Sequence, residues 1–227
     1  MKNCILVCFL ITSSIIFAQG MHDSQRSGFT NAMQYEGLYL TPGQLDELNG
    51  GTSVYLFSNW EGKFEIYISD KKGYSISNLN YNLKTNTLES KISKDSVFQF
   101  DINKVKFIRQ GSKKYKLYKI HTENELFQEI YFSNKVTLLK GFDAVLKKGS
   151  INPLTLEYIH KDKYSIDENY YLKLNNTNFI EIDLNKKSFL QLMGDKASSV
   201  EKYASDFKLS FKSETDLLKI FQYYDTL

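Results

Sequence analysis

Between Ser53 and about Asp183 the chain keeps a two-residue hydrophobic period, and this limits its fold more than any other feature. Phe64, Ile66 and Ile68 alternate with Glu65, Tyr67 and Ser69, and Leu79, Tyr81 and Leu83 with Asn80, Asn82 and Lys84. Phe98, Phe100 and Ile102 alternate with Gln99, Asp101 and Asn103, and Val105 and Phe107 with Lys106 and Ile108. Successive side chains of a strand point to opposite faces, so such runs set one face against a core and the other against water. Turn-forming residues separate the runs at Asp70 to Gly73, Thr85-Asn86, Lys94-Asp95, Gly111-Ser112, Ser133-Asn134, Gly149 to Pro153 and Asn175-Asn176. The spacing predicts an α+β, β-rich chain with an antiparallel meander of about ten to twelve strands. That meander is expected to curl into a barrel-like or two-layer sheet.

The period changes after Leu184. Phe189, Leu190 and Met193 share a helical face, Asp195 is placed to cap a second helix, and Val200, Tyr203, Ala204 and Phe207 follow at helical spacing. Ser213 is placed to cap a third helix carrying Leu217, Phe221 and Tyr224. Upstream, Thr41-Pro42-Gly43-Gln44 reads as a capping box, and Asn49-Gly50-Gly51 as the stop of a short helix. The expected organisation is a signal peptide over 1–18, a flexible arm over 19–40, and one β-rich domain over 41–227 with a helical tail over 185–227.

The signal reading rests on Lys2, the apolar run Cys4–Phe17 and the Ala18-Gln19 junction. That run, about 14 residues, falls short of the ~20 that span a bilayer, so a retained anchor is the weaker alternative. A helical end also argues against a membrane β-barrel, whose strands run around the whole chain. Both cysteines, Cys4 and Cys8, lie in the signal, which excludes a disulfide scaffold, a thiolate metal site and a cysteine nucleophile from the secreted chain. Loss of Lys2 lowers the net charge from +3 to +2, too little for a strongly charged nucleic-acid binder.

Residues 71–87 align without gaps on 161–177, matching at Lys71/Lys161, Tyr74/Tyr164, Ser75/Ser165, Ile76/Ile166, Tyr81/Tyr171, Asn86/Asn176 and Thr87/Thr177. A duplicated hairpin would give this pattern; so would chance in a chain rich in Lys, Asn, Ser and Tyr. Equivalent strand pairing in the two segments is the test.

No motif in the chain announces a reaction. His22, His121 and His160 lack partners at metal-ligand spacing, nucleophile elbows and phosphate loops are missing, and no cofactor is expected. His160 with Asp162 could form an acid/base pair only at a pocket-facing strand end, and a solvated histidine accounts for it as well. Carboxylates for glycoside chemistry are paired by folding, not by spacing.

The strongest charge feature is the run holding Lys104, Lys106, Arg109, Lys113, Lys114, Lys116 and Lys119, with no acidic residue from Ile102 through Thr122. Outside it the secreted chain is −5. Lys104, Lys106, Arg109, Lys113, Lys114 and Lys116 are therefore candidate anion-binding residues for a lipid or acidic-glycan surface. The alternative is that lysines guard a sheet edge against aggregation. Trp60 is a candidate binding-surface aromatic if exposed and a plug of the sheet end if buried. Tyr67, Tyr81, Tyr115, Tyr131 and Tyr171 divide likewise between ligand stacking and core packing.

The signal ending Phe17-Ala18-Gln19, the stretches GGTSVYLFSNWEGKFEIY (50–67) and SNLNYNLKTNTLE (77–89), and the tail DLLKIFQYYDTL (216–227) resemble uncharacterised secreted proteins of Bacteroidota, of flavobacterial type. The resemblance implies export and no particular reaction. The expected function is a non-catalytic binding or structural module of the periplasm or cell envelope, with an envelope glycan, lipid or protein as partner. The alternatives are a hydrolase acting through folded-together carboxylates and a carrier of an apolar ligand.

Overall fold

Apolar alternation produces strands almost everywhere it occurs in this chain, but their order in space departs from their order in sequence. The computed structural model describes residues 37–40, 54–93, 96–155, 157–160, 162–175 and 177–227. The proposed signal, the capping box at Thr41 and the Lys94-Asp95 turn lie outside the described residues. Strands β1 (Gly37–Leu40), β2 (Glu61–Tyr67), β3 (Gly73–Asn82), β4 (Thr87–Ser93) and β5 (Ser96–Phe100) form the first group. Strands β6 (Phe107–Gln110), β7 (Lys113–Tyr118), β8 (Glu125–Phe132), β9 (Val136–Lys147), β12 (Lys163–Leu174) and β13 (Ile180–Glu181) form the second. Together they make one eleven-stranded antiparallel sheet in the order β1-β5-β4-β3-β2-β6-β7-β8-β9-β12-β13, while β10 (Ser150–Ile151) and β11 (Tyr158–His160) pair separately.

Instead of a single meander, two meanders share β2. The chain runs outward from β2 to β5, crosses back through a 3-10 turn at Ile102–Lys104, and resumes on the other edge of β2 as β6. The sheet has free ends at β1 and β13, so it does not close as a barrel. Gly37–Leu40, read from sequence as part of a flexible arm, is an edge strand whose Tyr39 pairs with Phe98 of β5. Three turns fall where predicted, with Gly111 at φ 59° between β6 and β7 and Asn86 and Asn175 at φ 55° and 53°, whereas the stretch expected to turn from Gly149 to Pro153 holds β10. Glycine reaches that region without strain and asparagine tolerates it.

β3 is the joint between the two halves. Its residues from Gly73 to Asn78 pair with β2, and those from Leu79 to Asn82 pair with β4. The edge β2 leaves is taken by the segment before it, through Leu56 N donating to Tyr81 O (2.9 Å) and Leu83 N to Val54 O (3.0 Å). Asn80 and Asn82, expected on the water side, are consequently buried. The Asn80 carboxamide accepts from Phe57 N and donates to Phe57 O, both at 2.9 Å, so its burial is compensated. In β6 the core residue is Ile108, while Phe107 lies on the other face, stacked on Tyr67 at 4.3 Å.

The tail forms α1 (Lys186–Met193), α2 (Ala197–Asp206) and α3 (Glu214–Thr226). Asn185 caps α1 by accepting from Ser188 N at 2.9 Å, and Ser213 caps α3 as expected. Asp195 does not cap α2: it sits inside a 3-10 turn at Gly194–Lys196 that leads directly into the helix. Phe207 lies just beyond α2 and is exposed, resting on Tyr203. Phe189, Met193, Val200, Leu217, Ile220 and Phe221 pack on Val136, Leu138, Leu172 and Leu174 of β9 and β12. A second cluster, including Phe64, Leu79, Tyr81, Phe98 and Ile108, fills the β2–β6 end. That cluster joins Leu88 of β4 and Phe98 and Phe100 of β5 to Tyr115 of β7 and Leu126 of β8, so the open sheet curls over itself at this end while the helices cover the other.

The proposed duplication fails its test. β3 pairs with the strand immediately before it, whereas β12 pairs along its whole length with β9, across the intervening β10 and β11. Tyr81 belongs to the β2–β6 core, while Tyr171 packs with Phe127 and Leu139 on the sheet face opposite the helices.

Candidate functional site

Four antiparallel registers place Ile108, Tyr115, Gln128, Lys140 and Tyr170 in one cross-strand row over β6, β7, β8, β9 and β12. Residues directly opposite in a ladder share a face, and this row lies on the helix-bearing face, beside the layer of α1–α3. Where the helices stop and the Leu56–Asn59 segment has not yet begun, a cavity of about 280 Å³ remains. Tyr115, Gln128 and Lys140 form its floor; Phe57, Ser58 and Asn59 wall one side; Glu61, Gln110 and Lys113 stand at another; Phe142 and Glu168 complete it.

Lys140 is the electrostatic centre. Its ammonium is only 13% exposed and lies 2.7 Å from Glu168 Oε2 and 3.0 Å from Glu214 Oε1. Tyr170 donates to the same Glu214 oxygen at 2.6 Å. Desolvation lowers the Lys140 pKa, but the hydrogen bonds to Glu168 and Glu214 outweigh it and hold the group above its ordinary value. For Glu214, burial acts upward, while the Tyr170 hydroxyl and Lys140 prevail and hold its carboxyl below the usual range. Burial pushes the Tyr115 hydroxyl up to about 12, against the pull of Lys140. Near neutral pH Lys140 is therefore a charged ammonium facing the Glu214 carboxylate, with Glu168 as its second ion-pair partner. A general acid needs a carboxyl with a raised pKa, opposite to the shift at Glu214.

Two floor residues differ from this paired cluster. Tyr115 is 2% exposed and Gln128 is 7% exposed. Among the described residues, neither the Tyr115 hydroxyl nor the Gln128 carboxamide has a hydrogen-bond partner.

The structure scatters the basic run. Lys113 lines the cavity, whereas Arg109 and Lys114 form a cross-strand pair whose other neighbours in register are Glu65 and Glu129. Lys114 Nζ is 2.6 Å from Glu129, Lys106 Nζ is 2.5 Å from Asp70, and Lys104 Nζ is 3.8 Å from Asp101. Arg109 covers the rings of Tyr67 and Phe107, and Lys116 that of Tyr118. Acidic residues absent from the run itself are thus supplied by β8, by the β2–β3 turn and by Asp101 just before it. Trp60 is half-buried, edge-on to Tyr55 at 4.7 Å with Lys91 over its ring. Of the five tyrosines singled out, Tyr115 reaches the cavity, Tyr81 and Tyr171 are core, Tyr67 stacks on Phe107, and Tyr131 donates to Asp225.

Asp162 accepts from Gly149 N at 2.7 Å and pairs with Lys148, so it braces the β9–β10 connection. His121 lies 3.6 Å from Glu125 and edge-on to Tyr171. Among the described residues no cluster of three potential metal ligands occurs, and no helix is long and apolar enough to cross a membrane.

Sequence reasoning missed Gln128, Lys140, Glu168 and Glu214. No local signal marks them, because they meet only through β8, β9, β12 and the first residue of α3. Comparison with protein-family models, curated proteins and solved structures finds no match to this chain.

Proposed function

We propose that this chain is an exported cell-envelope protein that works as a non-catalytic binding module, holding a small hydrophilic ligand in the cavity over β7, β8 and β9. The carrying observation is a polar cavity floored by side chains on paired strands, with its central ammonium already neutralised by carboxylates. Strand-borne groups are held in fixed positions, which suits recognition. The downward shift of Glu214 counts against a carboxylate hydrolase, and the polar lining counts against an apolar-ligand carrier. A smaller apolar recess, lined by Ile66, Ile68, Tyr74 and Phe100, is about 20 Å³ and holds nothing larger than a water. Export is supported by the amino-terminal pattern of Lys2, an apolar run and Ala18-Gln19.

The test is fractionation of the tagged chain in its native cells, followed by native mass spectrometry of the recovered protein. Recovery from the envelope fraction with the amino-terminal segment removed, carrying a small ligand that a Lys113→Met/Gln128→Leu variant loses, is the expected result. A cytosolic chain, or a ligand retained by that variant, would overturn the proposal.

A further inference from the structure

We infer that the cavity is a subsite for one neutral sugar unit, gripped by the Tyr115 hydroxyl and the Gln128 carboxamide. This rests on the binding-module reading and names its ligand class. The two groups are neighbours in the β7–β8 register, are almost wholly buried, and have no hydrogen-bond partner among the described residues. Buried polar groups left unpaired are costly, so a site that keeps two of them facing one space is built for something that fills it.

The chemistry of those groups selects the occupant. A carboxamide offers both donors and an acceptor, and a phenol offers one of each kind, so the complementary group must also donate and accept. Hydroxyls do both. A carboxylate or phosphate only accepts and would face Glu61 and Glu168; an ammonium only donates and would face Lys113 and Lys140. Those two acids and two bases leave the lining with no net charge, which suits a neutral ligand. Phe57, Tyr115 and Phe142 pack on one another and supply only a small apolar part of a mainly polar lining, as a ligand rich in hydroxyls requires. At about 30 Å³ per water, the cavity of about 280 Å³ holds roughly nine waters, the space of one sugar unit and not of several.

The experiment is saturation-transfer NMR with calorimetry on the purified secreted chain. Probes are methyl glucoside, methyl galactoside, methyl mannoside and N-acetylglucosamine, set beside glucuronate, inorganic phosphate and decanoate. At least one neutral sugar is expected to bind, and Gln128→Leu is expected to weaken it at least about tenfold, as loss of a buried hydrogen-bonding group does. Phe132→Ser, outside the cavity, should leave binding unchanged. If Gln128→Leu fails to fold by circular dichroism, Gln110→Leu at the cavity rim makes the same comparison. Binding of glucuronate, phosphate or decanoate in place of the neutral sugars, with sensitivity to these substitutions, would overturn the sugar assignment and leave the binding module standing. A neutral sugar that binds but ignores both substitutions would overturn the site. If no probe binds, the sugar assignment falls, and the binding-module reading is decided separately by the native mass spectrometry of the recovered chain.

Discussion

Lys140→Met removes the ammonium from between Glu168 and Glu214 while keeping most of the aliphatic stem. Breaking a fully buried ion pair costs about 3–5 kcal/mol, and an exposed one about 0–1. Here the lysine is 13% exposed, Glu214 33% and Glu168 49%, so the cost belongs between those limits, at about 2 kcal/mol. Most of it should come from Glu214, the better buried of the two acids, which ties the start of α3 to the sheet. For a domain of this size that corresponds to a fall in Tm of about 4–8 °C. Urea and thermal unfolding followed by circular dichroism would measure it. A cycle with Glu214→Gln should show coupling of about 1 kcal/mol. The pH dependence has a definite sign. The Glu214 pKa is depressed in the folded state, so its stabilisation is present above the ordinary value of 4.5 and is lost as pH falls through the folded value. The penalty of Lys140→Met should therefore shrink between pH 7 and pH 3. A penalty below about 0.5 kcal/mol at neutral pH, where surface substitutions usually fall, would refute the reasoning. So would one that does not change in acid.

Other parts of the fold make separate predictions. A methyl group at Gly141 would meet the Phe127 ring at 2.8 Å and the Tyr171 ring at 3.1 Å, so Gly141→Ala should cost about 1–3 kcal/mol in urea unfolding. Asn80→Ala strands the backbone N–H and C=O of Phe57 and should cost about 2–4 kcal/mol, with faster amide hydrogen exchange at Phe57. Tyr115, Tyr131 and Tyr170 are each pushed up to about 12, chiefly by burial. Their contribution to stability is complete below the ordinary value of 10.0 and lost as pH rises through the folded values. Ultraviolet titration should show these tyrosines ionising late, and stability should fall across that alkaline window.

The proposed sugar subsite and the Lys140 cluster occupy one row of the sheet but have different expected roles. Lys140, Glu168, Glu214 and Tyr170 satisfy each other and hold the helical layer in place. Gln128 and Tyr115, one and two strands away from Lys140, lack such partners among the described residues and line the cavity. Substitutions in the first group are expected to move stability foremost, and Gln128→Leu to move ligand affinity. That division can be read from unfolding and binding curves of the same variants.

Period-two runs, turn residues and the change of period after Leu184 were enough to place most strands, their turns and the helical tail, because each depends on neighbours in the chain. Ser213 as the cap of α3 was legible for the same reason. Local pattern did not reveal that β6 returns to β2, that Val54–Phe57 covers the edge of β3 and buries Asn80, or that β12 pairs with β9. Each of these is a choice of partner among strands with similar faces, and alternation records the face, not the partner. The basic run shows the consequence most plainly. In sequence it is an uninterrupted excess of positive charge; in the sheet, Glu129 and Asp70 come from other strands and turns to meet Lys114 and Lys106. The cavity lies wholly on the tertiary side of this line, because its floor takes one residue from each of β7, β8 and β9 and only the strand registers bring the three side by side.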